Sequence, residues 1–262
     1  MTNLITTEDL YLKVPGGDIF VRLWQPELCK SSLPIILLHD SLGSVELWRD
    51  FPQRLAEHLQ QPVFAYDRLG FGQSSPRDAL PSWHFVEEEA EVYFPELLRG
   101  LDIQEFALLG HSVGGAMALN VAAVYGQICR WVVTEAAQTF VEERTREGIR
   151  QAEKLFVDPS QFERLKRWHG DKAQWVLDAW IKTWLAPEFS DWNLSSALAR
   201  IESPVLALHG DQDEYGSSAF PELIVRQVPT GAQMRLLSEC GHVPHREQQE
   251  QVLAEIESFL GH

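Results

Sequence analysis

The segment Gly110-His111-Ser112-Val113-Gly114 constrains this chain more than any other, because of what stands on either side of it. Before it runs Phe106-Ala107-Leu108-Leu109, an apolar run of strand length. After it come small and apolar residues, Gly115-Ala116-Met117-Ala118-Leu119-Asn120-Val121-Ala122-Ala123-Val124-Tyr125, which stop at Gly126 and read as a buried helix. A G-x-S-x-G set between strand and helix has to turn within a few bonds. Its serine then takes strained backbone angles, and the flanking glycines let strand and helix approach closely. The hydroxyl is left exposed at the top of a sheet, beside the positive end of a helix.

Two further apolar runs end in polar loops. Pro204-Val205-Leu206-Ala207-Leu208-His209-Gly210 is followed by Asp211-Gln212-Asp213, and Met234-Arg235-Leu236-Leu237 by Cys240-Gly241-His242-Val243-Pro244-His245-Arg246-Glu247. Both loops lie just past strand ends, on the sheet edge that carries the serine. On these segments the chain resembles the α/β-hydrolase superfamily, in its capped serine hydrolase, carboxylesterase-like branch, over nearly its whole length. The resemblance implies a nucleophile elbow at Ser112, an acid at Asp213 from the G-x-x-D pattern, and a histidine at His242 from the Gly-His-x-Pro pattern. Asp211 competes with Asp213 as its neighbour in the same loop. Glu135, after the strand Trp131-Val132-Val133-Thr134, is a second rival, because some family members place their acid there. The chain departs from the family at Ser217, where relatives often carry a proline four residues after the acid.

The rest of the chain fits an α/β fold. Tyr11-Leu12-Lys13-Val14, the turn Pro15-Gly16-Gly17-Asp18 and Ile19-Phe20-Val21-Arg22-Leu23-Trp24 predict a β-hairpin. Ile35-Ile36-Leu37-Leu38 predicts a strand buried on both faces. A helix from about Trp48 to Gln60 leads to the strand Val63-Phe64-Ala65-Tyr66, and Gln249 to Leu260 predicts a closing amphipathic helix. The alternation implies a mostly parallel sheet with helices on both faces. Asp67-Arg68-Leu69-Gly70-Phe71-Gly72-Gln73-Ser74 resembles the family's D-x-x-G-x-G-x-S loop, with its glycines as turn residues and Arg68 as a structural ion-pair partner.

Between Gln138 and Arg200 the strand pattern stops. Glu142 to Phe156, Gln161 to Trp168 and Ala173 to Leu185 read as helices, broken at Asp158-Pro159 and Ala186-Pro187. The resemblance makes residues 138–200 a helical cap inserted into a core of residues 1–137 and 201–262. This stretch holds Phe140, Phe156, Phe162, Trp168, Trp175, Trp180, Trp184, Phe189 and Trp192. Most such rings pack a cap upon its base, while some line an apolar chamber. Trp180 and Trp184, one helical turn apart, share a face and are the candidates for substrate contact.

Composition narrows the chemistry. Hydrophobic residues make up 45% of the 262, enough for a packed core. A formal charge of −16 argues against nucleic acid as a partner. No apolar run is long enough for a membrane span. Met1 to Asp9 lacks the basic and apolar parts of a signal peptide, and Cys29, Cys129 and Cys240 form neither a disulfide framework nor a metal-ligand pattern. These features predict a cytoplasmic protein with no metal and no organic cofactor; they leave its oligomeric state open.

The activity this predicts is hydrolysis of an ester, or a similarly activated acyl bond, of a small and largely apolar substrate. Val113 N–H is one expected oxyanion-hole donor, and the family's His-Gly-x loop, here His39-Asp40-Ser41, puts the second on the backbone of Ser41. Asp40 stands where the family usually has glycine; its carboxylate is expected to point away from the oxyanion and cap the loop. Alternatives are a C–C bond hydrolase, an eliminating synthase or lyase of the same fold, and a ligand receptor with little turnover. The C–C hydrolases usually have tryptophan where Val243 stands, and the menaquinone-pathway synthases have Gly-Gly-Arg where this chain has Gly114-Gly115-Ala116. Ser112 argues against epoxide hydrolases and haloalkane dehalogenases, which use an aspartate nucleophile.

Overall fold

The structure, a computed structural model, describes residues 4–261. Eight strands form one sheet: β1 (Ile5–Val14), β2 (Gly17–Pro26), β3 (Ile35–Leu38), β4 (Val63–Tyr66), β5 (Phe106–His111), β6 (Cys129–Glu135), β7 (Val205–Gly210) and β8 (Ala232–Leu237). Their spatial order is β1-β2-β4-β3-β5-β6-β7-β8. The first two strands run antiparallel to their neighbours, and from β4 to β8 every pair is parallel. The predicted hairpin is present, with strands reaching nearer the turn than expected: Val14 already pairs with Gly17 and Lys13 with Asp18. Of the segment read for a signal peptide, residues 1–3 lie outside the described residues, and Ile5 onward belongs to β1.

The helices are α1 (Phe51–Leu59), α2 (Phe85–Glu88), α3 (Phe94–Gly100) and α4 (Val113–Tyr125), then α5 (Glu143–Leu155), α6 (Pro159–His169), α7 (Ala173–Leu185) and α8 (Ser195–Leu198) between β6 and β7, and finally α9 (Ala219–Gln227), α10 (Pro244–Glu247) and α11 (Gln249–Leu260). The helix expected from Trp48 is split. Val45–Trp48 is one 3-10 turn, Arg49 takes a positive φ, and α1 starts afresh with Pro52 in its first turn, where a missing N–H costs nothing. A π-helical turn, Glu89–Tyr93, joins α2 to α3 and directs Glu89 inward onto the Tyr66 hydroxyl at 2.7 Å.

Strand alternation divides the core in two. Ile35, Leu37, Ala107, Leu109, Val133 and Leu206 pack with Phe51 and Leu55 of α1 and Val252 and Ile256 of α11. Ile36, Leu38, Leu108, Val132 and Val205 face the other way, onto α4, α3 and α9. Helix α4 touches protein on almost every side, and this explains its lack of a polar face. Among the described residues no helix is long and apolar enough to cross a membrane.

Strand β3 sends its chain to β4 on one side, while β5 lies on the other. The chain leaves their carboxyl ends in opposite directions, opening the crevice where ligands of such sheets bind. Ser112 sits at that point with φ 58° and ψ −125°. A Cβ on Gly110 would lie 2.3 Å from the Gly114 carbonyl oxygen, and one on Gly114 would lie 2.1 Å from that of Leu38. Backbone atoms cannot swing aside, so both positions require glycine. Gly114→Ala is therefore expected to cost roughly 1–3 kcal/mol through overpacking. Chemical denaturation checks this, and an unchanged midpoint would refute the close approach.

Candidate active site

Three loops from the carboxyl edge of the sheet deliver Ser112, Asp213 and His242 to one place. His242 Nε2 lies 3.0 Å from Ser112 Oγ, and its Nδ1 lies 2.9 Å from each carboxylate oxygen of Asp213. All three side chains are buried. Asp213 Oδ1 also accepts the backbone N–H groups of Tyr215 (2.7 Å) and Gly216 (3.2 Å). The His242 loop is fixed from within and from below. Glu247 accepts from the N–H groups of Gly241 (2.6 Å) and Val243 (3.0 Å), and His111 Nε2 donates to the His242 carbonyl at 2.7 Å.

The rival acids lie elsewhere. Asp211 is exposed. Glu135 is fully buried, but its Oε2 lies 2.5 Å from His245 Nδ1, and it has no bond to His242. His245, three residues past His242 in sequence, is thereby paired with the end of β6.

The two histidine–carboxylate pairs differ in electrostatics. Burial pulls His242 down, but the hydrogen bond and charge of Asp213, helped by Glu214 and Asp40, outweigh it and leave its pKa above 6.5. Burial pushes Asp213 up, yet the hydrogen bond and charge of His242, the charge of His209 and the Tyr215 N–H hold it below the usual carboxylate range. At the other pair burial wins on both sides. It pushes Glu135 up to about 7 and His245 down to about 3, shifting both toward their neutral forms. Burial also takes His111 down to about 4.

Both departures from the family pattern have local causes. The Ser217 N–H donates to Glu142 Oε1 at 2.7 Å and its hydroxyl to Glu142 Oε2 at 2.9 Å, tying the acid loop to the start of α5. A proline supplies neither donor. Asp40 keeps an ordinary φ, so unusual backbone angles are not what selects it. Its Oδ1 folds over Gly43, 2.0 Å from where a Cβ there would stand, and its carbonyl takes hydrogen bonds from His39 Nδ1 and Arg68 Nη2, both 2.8 Å. The carboxylate thus covers its own loop. Arg68, expected in an ion pair, reaches no carboxylate at ion-pair distance among the described residues; it serves that carbonyl and stacks 4.2 Å over Phe71.

A cavity of about 250 Å³ opens on Ser112 and His242. Leu42, Ile149, Trp180 and Val243 supply its apolar wall, with Tyr215 against the His242 ring; Asp40, Ser41, Thr145 and Glu214 add polar atoms. Trp180, one of the two tryptophans singled out in the sequence, lines this cavity. Trp184 does not: it is 1% exposed and packs edge-on to Phe189 and Trp192, inside the inserted helices. One turn of helix separates the two rings, but Trp180 lies at the margin of the buried face and Trp184 at its centre. The residue that sequence reading missed is Gln138. It is 5% exposed, and its side-chain amide sits on the serine, Nε2 at 3.1 Å and Oε1 at 3.2 Å from Ser112 Oγ. Its place just past the end of β6 was the available signal. Among the described residues no group of three His, Cys, Asp or Glu side chains is placed to hold a metal.

The alpha/beta hydrolase family model matches residues 35–256. This chain belongs to the alpha/beta hydrolase family. It is 28% identical over 247 residues to the serine hydrolase BPHL of Mus musculus, an alignment covering 86% of this chain and 78% of that protein. A probable lysophospholipase of Arabidopsis thaliana and the acyltransferase ABHD5 of Rattus norvegicus and Mus musculus are matched over only 23%, 32% and 32% of their own length. Among solved structures, a membrane phospholipase A superposes with a TM-score of 0.77 at 21% identity, covering 97% of this chain and 86% of that one. Carboxylesterase CesB (YbfK) of Bacillus subtilis gives 0.72 at 20% identity, covering 98% and 92%. At these identities the structural likenesses speak for the fold, an alpha/beta hydrolase fold with esterases among its neighbours.

The electrostatics can be checked directly. In a histidine titration by NMR, His242 is expected to titrate above 6.5, with His111 and His245 neutral down to about 4 and about 3. Asp213→Asn removes what holds His242 up and leaves the burial that pulls it down, so its pKa is expected to fall. A rise in the variant would reverse the assignment.

Proposed function

We propose that this alpha/beta hydrolase is a serine hydrolase that cleaves an ester, or a similarly activated acyl bond, of a small and largely apolar substrate. The supporting observation is the line of hydrogen bonds from Ser112 through His242 to Asp213, opening on a partly apolar cavity. Serine is a weak nucleophile at its own pKa. As Ser112 Oγ attacks the acyl carbon, its proton passes to His242 Nε2. Asp213 holds the imidazole in the Nδ1–H tautomer and stabilises the imidazolium. Val113 begins α4, so its N–H has no partner within the helix and is one donor for the oxyanion. The backbone N–H of Ser41, in the loop after β3, is the second. His242 then gives its proton to the departing alcohol, and water later releases the acyl group from Ser112.

In this reading residues 138–200 are a cap that selects substrates, inserted into a catalytic core of residues 1–137 and 201–262. The cavity's charged lining residues are Asp40 and Glu214, so a carboxylate or phosphate on the substrate meets repulsion there. Neutral acyl compounds fit this wall.

Ser112→Ala is expected to keep the fold and lower kcat by on the order of a millionfold, by analogy with serine proteases. A fluorophosphonate probe labels the wild type and not the variant; no labelling of the wild type would leave a ligand-binding protein instead. Asp213→Asn is expected to be far more damaging than Glu135→Gln or Asp211→Asn. Because His242 must be neutral to accept the serine proton, kcat/KM rises with pH through an apparent pKa above 6.5. A rate flat across that range would count against a histidine base.

The two tryptophans separate selectivity from stability. Trp180→Ala is expected to shift the preferred ester chain length by about 1–3 kcal/mol per methylene-scale contact. Trp184→Ala is expected to cost about 3–5 kcal/mol of stability and leave chain-length preference alone. Profiles on p-nitrophenyl esters beside thermal melts decide it: the opposite pattern would exchange the two roles.

A further inference from the structure

Gln138 has no part in the steps above, although its amide touches the nucleophile. It leaves the end of β6 just after Ala136, which takes a φ of 48°, and it stands on the side of Ser112 away from the loop after β3. Ser112 has one proton to give, and in the reacting arrangement His242 Nε2 receives it. The hydroxyl oxygen then accepts from Gln138 Nε2, and Oε1, 3.2 Å from the same oxygen, has no donor to serve. A buried amide oxygen without a donor is costly. Once Ser112 carries an acyl group its proton has left with the alcohol, and the neighbourhood of Oγ holds two acceptors, His242 Nε2 and Gln138 Oε1. Water has two protons to place there.

We propose that Gln138 is the water-positioning residue of deacylation: its Oε1 and His242 Nε2 each accept one proton of the attacking water and aim its lone pair at the acyl carbon on Ser112. The bond from water oxygen to the acyl carbon forms as one water proton passes to His242 Nε2. The tetrahedral intermediate then collapses, the bond from carbon to Oγ breaks, and His242 returns the proton to Oγ. The second water proton stays on oxygen throughout this step, held by Gln138. Acylation needs no such water, so the role of Oε1 falls on deacylation, while Nε2 serves Oγ in the free enzyme. This inference rests on the acyl-enzyme reading above.

The test uses p-nitrophenyl acetate as probe, with the reaction quenched in acid at steady state and the intact protein weighed. The ratio of acetylated to free enzyme reports acylation relative to deacylation. Gln138→Leu removes both hydrogen-bonding atoms and is expected to raise that ratio about tenfold, the effect of one lost hydrogen bond to a reacting group. Gln138→Met, which keeps the side chain's length, is expected to do the same and serves if the leucine variant folds poorly. Gln138→Glu keeps an acceptor oxygen and is expected to hold the ratio near that of the wild type, whatever happens to the overall rate. An unchanged or lowered ratio in Gln138→Leu and Gln138→Met, or a ratio raised equally in Gln138→Glu, would overturn the proposal. Failure of the acyl-enzyme reading looks different: the wild type would resist fluorophosphonate and Ser112→Ala would still turn over the ester.

Discussion

The close passage of backbone past backbone at Gly110 and Gly114 is the constraint on which the rest of this molecule depends. Ser112 has a positive φ that costs a non-glycine residue of order 1–3 kcal/mol, and such strain persists only where the surroundings over-determine it. Here they do. The Ser112 N–H is held by the Glu135 carbonyl at 2.8 Å, the first turn of α4 closes on the Ser112 carbonyl, and strand β3 presses on Gly114. Together these contacts set the Ser112 hydroxyl 3.0 Å from His242 Nε2. The small apolar residues of α4 follow from the same requirement, since a helix that starts this close to β3 and β5 is enclosed by protein along most of its length.

Two carboxylate–histidine pairs sit on adjacent strand ends, and their difference comes from how many donors each carboxylate collects. Asp213 receives His242 and two backbone N–H groups, so burial fails to neutralise it. Glu135 receives His245 alone among side chains, and its Oε1 has no partner among the described residues. Burial therefore dominates, and Glu135 contributes a hydrogen bond where Asp213 contributes a charge. His111 stands between, edge-on to His245 and bonded to the carbonyl of His242. The Glu135–His245 pair is thus part of the floor beneath His242. A carboxylate's burial identifies neither role; its count of donors does.

Much of this was legible in the chain. The central strands are short continuous runs of Ile, Leu, Val and Ala, and such runs have one reading when turn residues bound them and a small-residue helix follows. The three loops that meet at Ser112 follow from the same runs, because the carboxyl ends of parallel strands share an edge. What stayed hidden depends on angles and distances that no periodicity encodes. The split at Arg49 and the π turn at Glu89–Tyr93 are local departures from a regular helix. Trp180 and Trp184 have the same residue type and nearly the same helical phase, so only the seating of α7 distinguishes wall from core. Gln138 carried no chemical pattern, because an amide has no acid–base signature and its partner lies in another loop.

The inserted helices are bound to the core through polar contacts as well as packing, and those contacts converge on the site. From α6, His169 accepts the Gly72 N–H at 2.9 Å through Nδ1 and donates to the Leu42 carbonyl at 3.0 Å through Nε2, linking the loops after β4 and β3. Burial takes His169 down to about 4, and this keeps it neutral, the one state in which it both accepts and donates. From the start of α5, Glu142 grips Ser217, and the Thr145 hydroxyl donates to the Tyr215 carbonyl at 2.6 Å. Tyr215 in turn packs on His242 and donates its N–H to Asp213. The helices that wall the cavity are thus the ones that fix the loop carrying Asp213. The wall of the cavity and the seat of Asp213 are therefore one connected set of contacts.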